Sequence, residues 1–281
     1  MRLLRAGTDN GARVLLDERD GIAVATVDGR EFATLSALLD ACGGDRSRIA
    51  PGRVLDNAGQ QLLEPVGNPP KVICIGLNYR MHAEESEAPI PAHPMVFAKW
   101  RTALTHPGAD IPLPSESEFV DWEAELAIVI GRRCRRVPAQ DADAVVFGYT
   151  AANDVSMRDF QAHTEQFTAG KTWDRATPLG PAVVSADALG GAHPDLAIGG
   201  RLNGEAVQAS RTSDLIFGVG PLIEYLSTVM TLEPGDVVLT GTPSGVGVAA
   251  EPPRSLAAGD VFEVEIEGIG RLENRFVAEM V

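Results

Sequence analysis

The sequence is poor in several residue types, and each shortage excludes something. Cysteine occurs only three times in 281 residues, at Cys42, Cys74 and Cys134. So small and odd a set, widely spaced, argues against a disulfide scaffold and for reduced thiols in a cytosolic protein. Cys74 and Cys134 lie in apolar or strand-like runs and read as small buried hydrophobes. No apolar run approaches the roughly 20 residues that span a bilayer, so no membrane partner is expected. The opening Met1-Arg2-Leu3-Leu4-Arg5 runs into polar residues, which does not suit a signal peptide, and the expected location is the cytoplasm. Basic residues are also scarce: 24 Lys and Arg stand against 39 Asp and Glu, a net charge of −15. A chain so acidic repels phosphate backbones, so no nucleic-acid partner is expected. A small anionic substrate stays open, because a metal or a few local cations can invert the field of one pocket.

Two catalytic patterns are missing as well. There is no Gly-x-Ser-x-Gly elbow and no cysteine with a neighbouring histidine, which leaves a Ser or Cys nucleophile unsupported. Gly170-Lys171-Thr172 ends like a nucleotide phosphate loop, but Glu165 stands where that loop requires glycine, so a nucleoside triphosphate site is excluded.

What is present is an ordinary globular balance, 44% hydrophobic and 22% charged. The length allows one large domain, or a core domain with a small appendage. Strands are expected at Arg13 to Leu16, Ile22 to Thr26, Val72 to Ile75, Trp122 to Ile130, Val145 to Asp154, Val237 to Thr240 and Val261 to Ile266. Helical spacing covers 32–42, 156–167 (with Ser156 as cap) and 214–230, and one or two helical turns fit 79–87. Residues 47–70 read as irregular, ending in Gly67-Asn68-Pro69-Pro70. That linker divides a small N-terminal domain, 1–68, from a catalytic domain, 69–281. Many strands and few helices do not make a βαβ alternation, so the expected class is α+β, largely β.

The strongest local signal is Asp121-Trp122-Glu123-Ala124-Glu125-Leu126-Ala127-Ile128-Val129-Ile130. Side chains alternate along a strand, so Glu123 and Glu125 share a face, about 7 Å apart. Ala127 and Val129 continue that face, and Ala124, Leu126, Ile128 and Ile130 form the other. A strand apolar on both sides is buried, and two carboxylates entering it need compensation, for which a divalent cation is suited. Asp154 ends the next long strand. Arg158 and Gln161, three apart, offer a guanidinium fork and a neutral donor. His82 and Glu85, also three apart, suit a histidine polarised by a carboxylate and able to activate water. Lys171, beside Gly170, suits an oxyanion or a substrate carboxylate. The loop Gly241-Thr242-Pro243-Ser244-Gly245-Val246-Gly247 follows a strand, and its amides and Thr242 suit an anion.

The order and wording of these segments resemble the fumarylacetoacetate hydrolase family, from about residue 71 to the C-terminus. The resemblance rests on Ile75-Gly76-Leu77-Asn78-Tyr79 with His82 and Glu85, Phe97-Ala98-Lys99, Trp122-Glu123-Ala124-Glu125-Leu126, Asn153-Asp154-Val155-Ser156 with Arg158, Asp159 and Gln161, Gly170-Lys171, Asn203-Gly204-Glu205, and Leu239 to Gly247. It implies a mixed β-roll catalytic domain, usually a homodimer, holding Mg²⁺ or Mn²⁺. By position, Glu123, Glu125 and Asp154 are the implied metal ligands. His82 and Glu85 are the implied water-activating pair on a lid. Arg158, Gln161, Lys171 and Thr242 are the implied substrate contacts, with Lys171 also in a catalytic role. The implied activity is C–C hydrolysis of acylpyruvate-like or 2,4-diketo acids to pyruvate and a carboxylic acid. The alternative is oxaloacetate-type decarboxylation, or isomerisation of 2-hydroxyhepta-2,4-diene-1,7-dioate, at the same site. Leu77 and Arg80 depart from the Arg and Ala of the acylpyruvase branch, and Leu77 and Trp100 lie closer to bacterial members acting on diketo acids from sugars or aromatics.

Overall fold

A computed structural model describes residues 1–8, 11–18, 21–55 and 61–279. Among these residues the strands form one large sheet, a five-stranded sheet and a two-stranded ladder. The large sheet runs, edge to edge, through 30–31, 21–27, 11–18, 2–8, 177–185, 146–153, 124–130, 237–239, 72–76 and 95–99. The five-stranded sheet runs through 205–211, 197–202, 261–266, 270–278 and 110–113. The class is α+β and largely β, as expected.

The alternation read along Trp122 to Ile130 is the alternation the fold uses. Ala124, Leu126, Ile128 and Ile130 pack with Val264, Phe262 and Phe276 in the core between the two sheets. Ala127 and Val129 pack on the opposite side, against Leu38 and Leu39 of the helix Leu35–Cys42. That helix is capped by Thr34, whose hydroxyl accepts the Ala37 N–H. Glu125 therefore leaves a strand with no wet face, and Glu123 stands just ahead of it.

Several expectations on local structure need correction. The expected strand from Trp122 is interrupted: Val120–Asp121 and Ala124–Ile130 are separate strands, with Trp122 and Glu123 between them. The helix expected over 156–167 shrinks to Arg158–Gln161, because Ser156–Met157 pairs with Val120–Asp121. Ser156 is accordingly no helix cap, and its hydroxyl donates to the Asp154 carbonyl. The stretch taken as irregular contains the strand Ile49–Leu55, paired with Gly21–Val27. Residues 56–60 of that stretch lie outside the described residues. Arg2–Thr8, read only for its leader character, is a strand that pairs with 11–18 and with the body strand 177–185. The helix expected over 214–230 is Val219–Val229, with Pro221 in its first turn, where proline is tolerated.

Candidate active site

The site forms where strand 124–130 begins and strand 146–153 ends. These strands are antiparallel neighbours, with Ala124 opposite Asn153, so Glu123, Glu125 and Asp154 arrive at one end of the pair. One ligand oxygen from each lies within 4.8 Å of the others, and all three side chains are buried. Asn153 fixes the start of the strand by accepting the Glu123 N–H at 2.9 Å.

Three cations surround the cluster, Lys99 and Lys171 buried and Arg158 partly so. Lys171 Nζ donates to Glu123 Oε2 at 2.6 Å and to Asp154 Oδ2 at 3.3 Å. It reaches that position because the short helix 168–171 lies directly on the helix 158–161. A Cβ at Gly170 would stand 2.5 Å from the Gln161 backbone nitrogen, so only glycine permits this approach. Arg158 grips Asp121 Oδ2 through Nε and Nη2, each at 2.8 Å, and Glu123 Oε1 through Nη1 at 2.7 Å. Lys99 pairs with Asp154 Oδ1 and donates to Thr177 Oγ1 at 2.8 Å.

Charge is shared unevenly among the three carboxylates. Burial works to raise the Glu123 pKa, but Lys171 and Arg158 outweigh it and hold the carboxyl at about 2. Glu125 is the opposite case. Burial, then the neighbouring charges of Asp154 and Glu123, push it well above the carboxylate range. Its support is the Gly241 N–H, donated to Oε2 at 2.8 Å. Burial pulls the Lys171 pKa down, and Asp154 and Glu123 more than reverse that, so it remains an ammonium. A buried carboxylate with one amide partner, beside two further carboxylates, is an oxygen donor set that a hard divalent cation completes. The residues present therefore fit a metal.

The histidine approaches from a separate element. Asn78 is fully buried and binds the backbone at Phe217 and Thr240, which anchors the chain just before the helix Arg80–Glu85. His82 Nδ1 lies 3.0 Å from Glu85 Oε2. A carboxylate accepts, so Nδ1 carries the proton and Nε2 is the basic nitrogen. The other Glu85 oxygen accepts the Gly245 N–H at 2.8 Å, tying this helix to the glycine-rich loop. Gly245 has φ +97°, and a Cβ there would meet the Val207 carbonyl at 1.9 Å, so the loop needs glycine at that point.

A cavity of about 470 Å³ brings these groups together. His82, Glu123, Glu125, Arg158, Gln161, Lys171 and Thr242 all line it. Two predicted residues, Asp154 and Glu85, do not line it; they hold Lys171 and His82, which do. Gln161 accepts from Arg158 Nη1 at 3.0 Å, which leaves its NH₂ as a donor. Thr242 spends its hydroxyl hydrogen on the Ala124 carbonyl and accepts from Gln208, so its hydroxyl has no hydrogen left to donate.

Lys99 and Asp121 stand in segments the sequence marks out, but neither is assigned a role there. Asp121 is fully buried and accepts from Arg158 and from the Trp122, Gly247 and Val248 amides. It thus joins the arginine to the glycine-rich loop. The available signal was position: each is a charged residue inside an otherwise apolar run.

A largely β fold here carries a buried acidic cluster that could hold a divalent cation, balancing cations and a carboxylate-oriented histidine. Residues 71–277 match the family model Fumarylacetoacetate (FAA) hydrolase C-terminal, and the chain belongs to the fumarylacetoacetate hydrolase family. A mitochondrial oxaloacetate tautomerase of Xenopus laevis is 45% identical over 226 residues, 80% of this chain and 70% of that protein. A solved fumarylacetoacetate hydrolase from Exiguobacterium antarcticum superposes with a TM-score of 0.86 at 33% identity, covering 99% of this chain and 100% of the other. A 5-carboxymethyl-2-hydroxymuconate delta-isomerase from Mycobacterium smegmatis gives 0.80 at 38% identity, with 100% of both chains covered. Among the described residues no helix is long and apolar enough to cross a membrane.

Proposed function

We propose that this enzyme interconverts keto and enol or double-bond isomers of 2-oxo acids, by moving a proton at the carbon beside the 2-oxo group. The observation that carries the reading is the placement of His82, oriented by Glu85, on the wall of the same cavity as Glu123 and Glu125. The names of the Xenopus and Mycobacterium relatives, a tautomerase and an isomerase, support it.

Glu123, Glu125 and Asp154 would hold Mg²⁺ or Mn²⁺, which would supply Lewis-acid polarisation of the substrate's 2-oxo oxygen. The chain's own residues do the rest. His82 Nε2 takes the proton from carbon 3, and Glu85 stabilises the imidazolium that results. Lys171 offsets the negative charge that grows on the substrate oxygen. Gln161 donates its NH₂ to a substrate oxygen and so fixes orientation. His82 then returns the proton at the other end of the three-atom system.

Hydrolytic C–C cleavage of acylpyruvate-like acids is the second reading. The same His82–Glu85 pair favours it, since an oriented histidine activates water equally well. A homodimer, implied by the family resemblance, belongs to the proposal and is checked by light scattering. One experiment separates the two reactions. Oxaloacetate and acetylpyruvate are incubated in D₂O with Mn²⁺ and followed by NMR. Metal-dependent deuterium entry at carbon 3, faster than any release of acetate, is the expected result. Acetate and pyruvate formed without prior exchange would replace the first reading by the second.

A further inference from the structure

A neutral side chain from the second sheet reaches the carboxylate cluster. The strand Glu205–Arg211 lies at the edge of the five-stranded sheet, and along it only Gln208 is buried, at 2% exposure. Its Oε1 accepts the Ala124 N–H at 2.9 Å. Its Nε2 donates to Thr242 Oγ1 and to the Pro243 carbonyl, each at 2.8 Å. The orientation of this amide is forced, since a backbone N–H only donates and a backbone carbonyl only accepts. Both amide hydrogens are thus committed to the glycine-rich loop. Gly200 keeps the path of the side chain open, for a Cβ there would stand 3.0 Å from Gln208 Oε1 and 2.7 Å from Phe262 Cζ.

What Gln208 holds is the residue between two glutamates of the cluster. The main chain of Glu123 faces the strand 146–153: its N–H donates to Asn153 Oδ1 and its carbonyl accepts the Asp154 N–H, both at 2.9 Å. Ala124 faces the opposite side, where the ladder with Val237–Leu239 has already ended at the pair Ala127–Leu239. Past that pair, side chains take over the ladder's work. The Thr240 hydroxyl donates to the Leu126 carbonyl at 2.9 Å and the Thr242 hydroxyl to the Ala124 carbonyl at 3.0 Å, which leaves the Ala124 N–H to Gln208. Because Gln208 donates to Thr242 Oγ1, the threonine hydrogen is directed at Ala124. One Gln208–Thr242 pair therefore fixes both polar groups of Ala124. The same loop supplies the Gly241 N–H that supports Glu125.

We propose that Gln208 is a positioning residue for the cation site: it clamps the backbone between Glu123 and Glu125 to the loop 241–247, and so sets how their carboxylates converge. The proposal rests on the reading above that Glu123, Glu125 and Asp154 hold a divalent cation. Mn²⁺ itself is the probe. Its free concentration is read from the electron paramagnetic resonance signal as protein is titrated, and Tm in EDTA is measured alongside. Groups that orient metal ligands are worth about ten- to a hundredfold in affinity, and Gln208→Met, which keeps the length and removes the amide, should weaken Mn²⁺ binding by about that factor. Gln208→Asn, one methylene shorter, does not span Ala124 and Pro243 together and should weaken it too, which keeps the test valid where Gln208→Met does not fold. Asn274→Leu is the structural control. Asn274 is a buried amide of the same sheet, outside the cavity lining, whose Nδ2 donates to the His106 and Ala109 carbonyls. Its loss should lower the Tm in EDTA and leave the Mn²⁺ Kd of the folded protein unchanged. A folded Gln208 variant with the wild-type Kd, or an equal weakening in Asn274→Leu, overturns this proposal and leaves the cation reading standing. A wild-type protein that binds no Mn²⁺ overturns both.

Discussion

Exchanging Glu125 for glutamine separates the two jobs that the site's carboxylates perform. Glu123 is locked by Lys171 and Arg158, and Asp154 by Lys171 and Lys99. Glu125 has the Gly241 amide alone and is destabilised as an anion by burial and by its acidic neighbours. Glutamine keeps an oxygen for that amide and removes the charge, so metal-free Glu125→Gln should melt at or above the wild-type temperature. Glu123→Gln should do the reverse. It weakens two ion pairs, leaving Arg158 to Asp121 and Lys171 to Asp154, at about 3–5 kcal/mol. At about 2–4 °C per kcal/mol for a large domain, that is a fall of about 6–20 °C in Tm. In the wild type, Mn²⁺ at about a hundred times its Kd contributes about 2.7 kcal/mol, a rise of about 5–11 °C. Both variants lack one of three ligands and should lose most of this rise. Scanning calorimetry with Mn²⁺ and with EDTA reads all four quantities. A metal-free Glu125→Gln protein that melts well below wild type, or one that keeps the full Mn²⁺ response, would refute the reasoning.

Other expectations follow from the same geometry. His82→Asn should lower turnover by about 10²–10⁴-fold and leave the Mn²⁺-induced rise in Tm intact, since His82 is outside the carboxylate cluster. Loss of that rise would contradict its separate role. Lys99→Met strips Asp154 of one buried partner and should cost about 3–5 kcal/mol in urea unfolding. A loss under about 1 kcal/mol would show the pair to be dispensable. Asp121→Asn loosens the Arg158 fork and two loop amides, each a charge-assisted bond, and should raise KM by about ten- to a hundredfold. A change confined to kcat would place Asp121 elsewhere in the account.

The parts of the site that could be read from sequence share one property: the residue type conflicts with its surroundings. Glu123 and Glu125 stand at the head of an unbroken apolar run, and the period of two assigned them to one face before any fold was known. His82 and Glu85 were legible because a three-residue spacing brings them together within a single helical turn. Lys99 and Asp121 were passed over because their partners are distant in the chain. Lys99 meets Asp154 across strands, and Asp121 meets Arg158 beside a two-stranded ladder and Gly247 from 126 residues away. That same ladder explains the failed helix at 156–167: long-range pairing of Ser156–Met157 overrode local spacing. The apolar part of the cavity lining was equally hidden, since Leu77, Met95 and Phe167 come from separate elements, brought together in part by the pairing of 72–76 with 95–99.

The most direct test follows the ultraviolet decay of freshly dissolved enol oxaloacetate. Wild-type enzyme with Mg²⁺, the EDTA-treated enzyme and the EDTA-treated enzyme with Mg²⁺ restored are compared against the uncatalysed rate. Acceleration that disappears with EDTA, returns with Mg²⁺ and is absent in His82→Asn is the result expected of metal-assisted proton transfer at this site. A rate that EDTA leaves unchanged, or that His82→Asn retains in full, would contradict it.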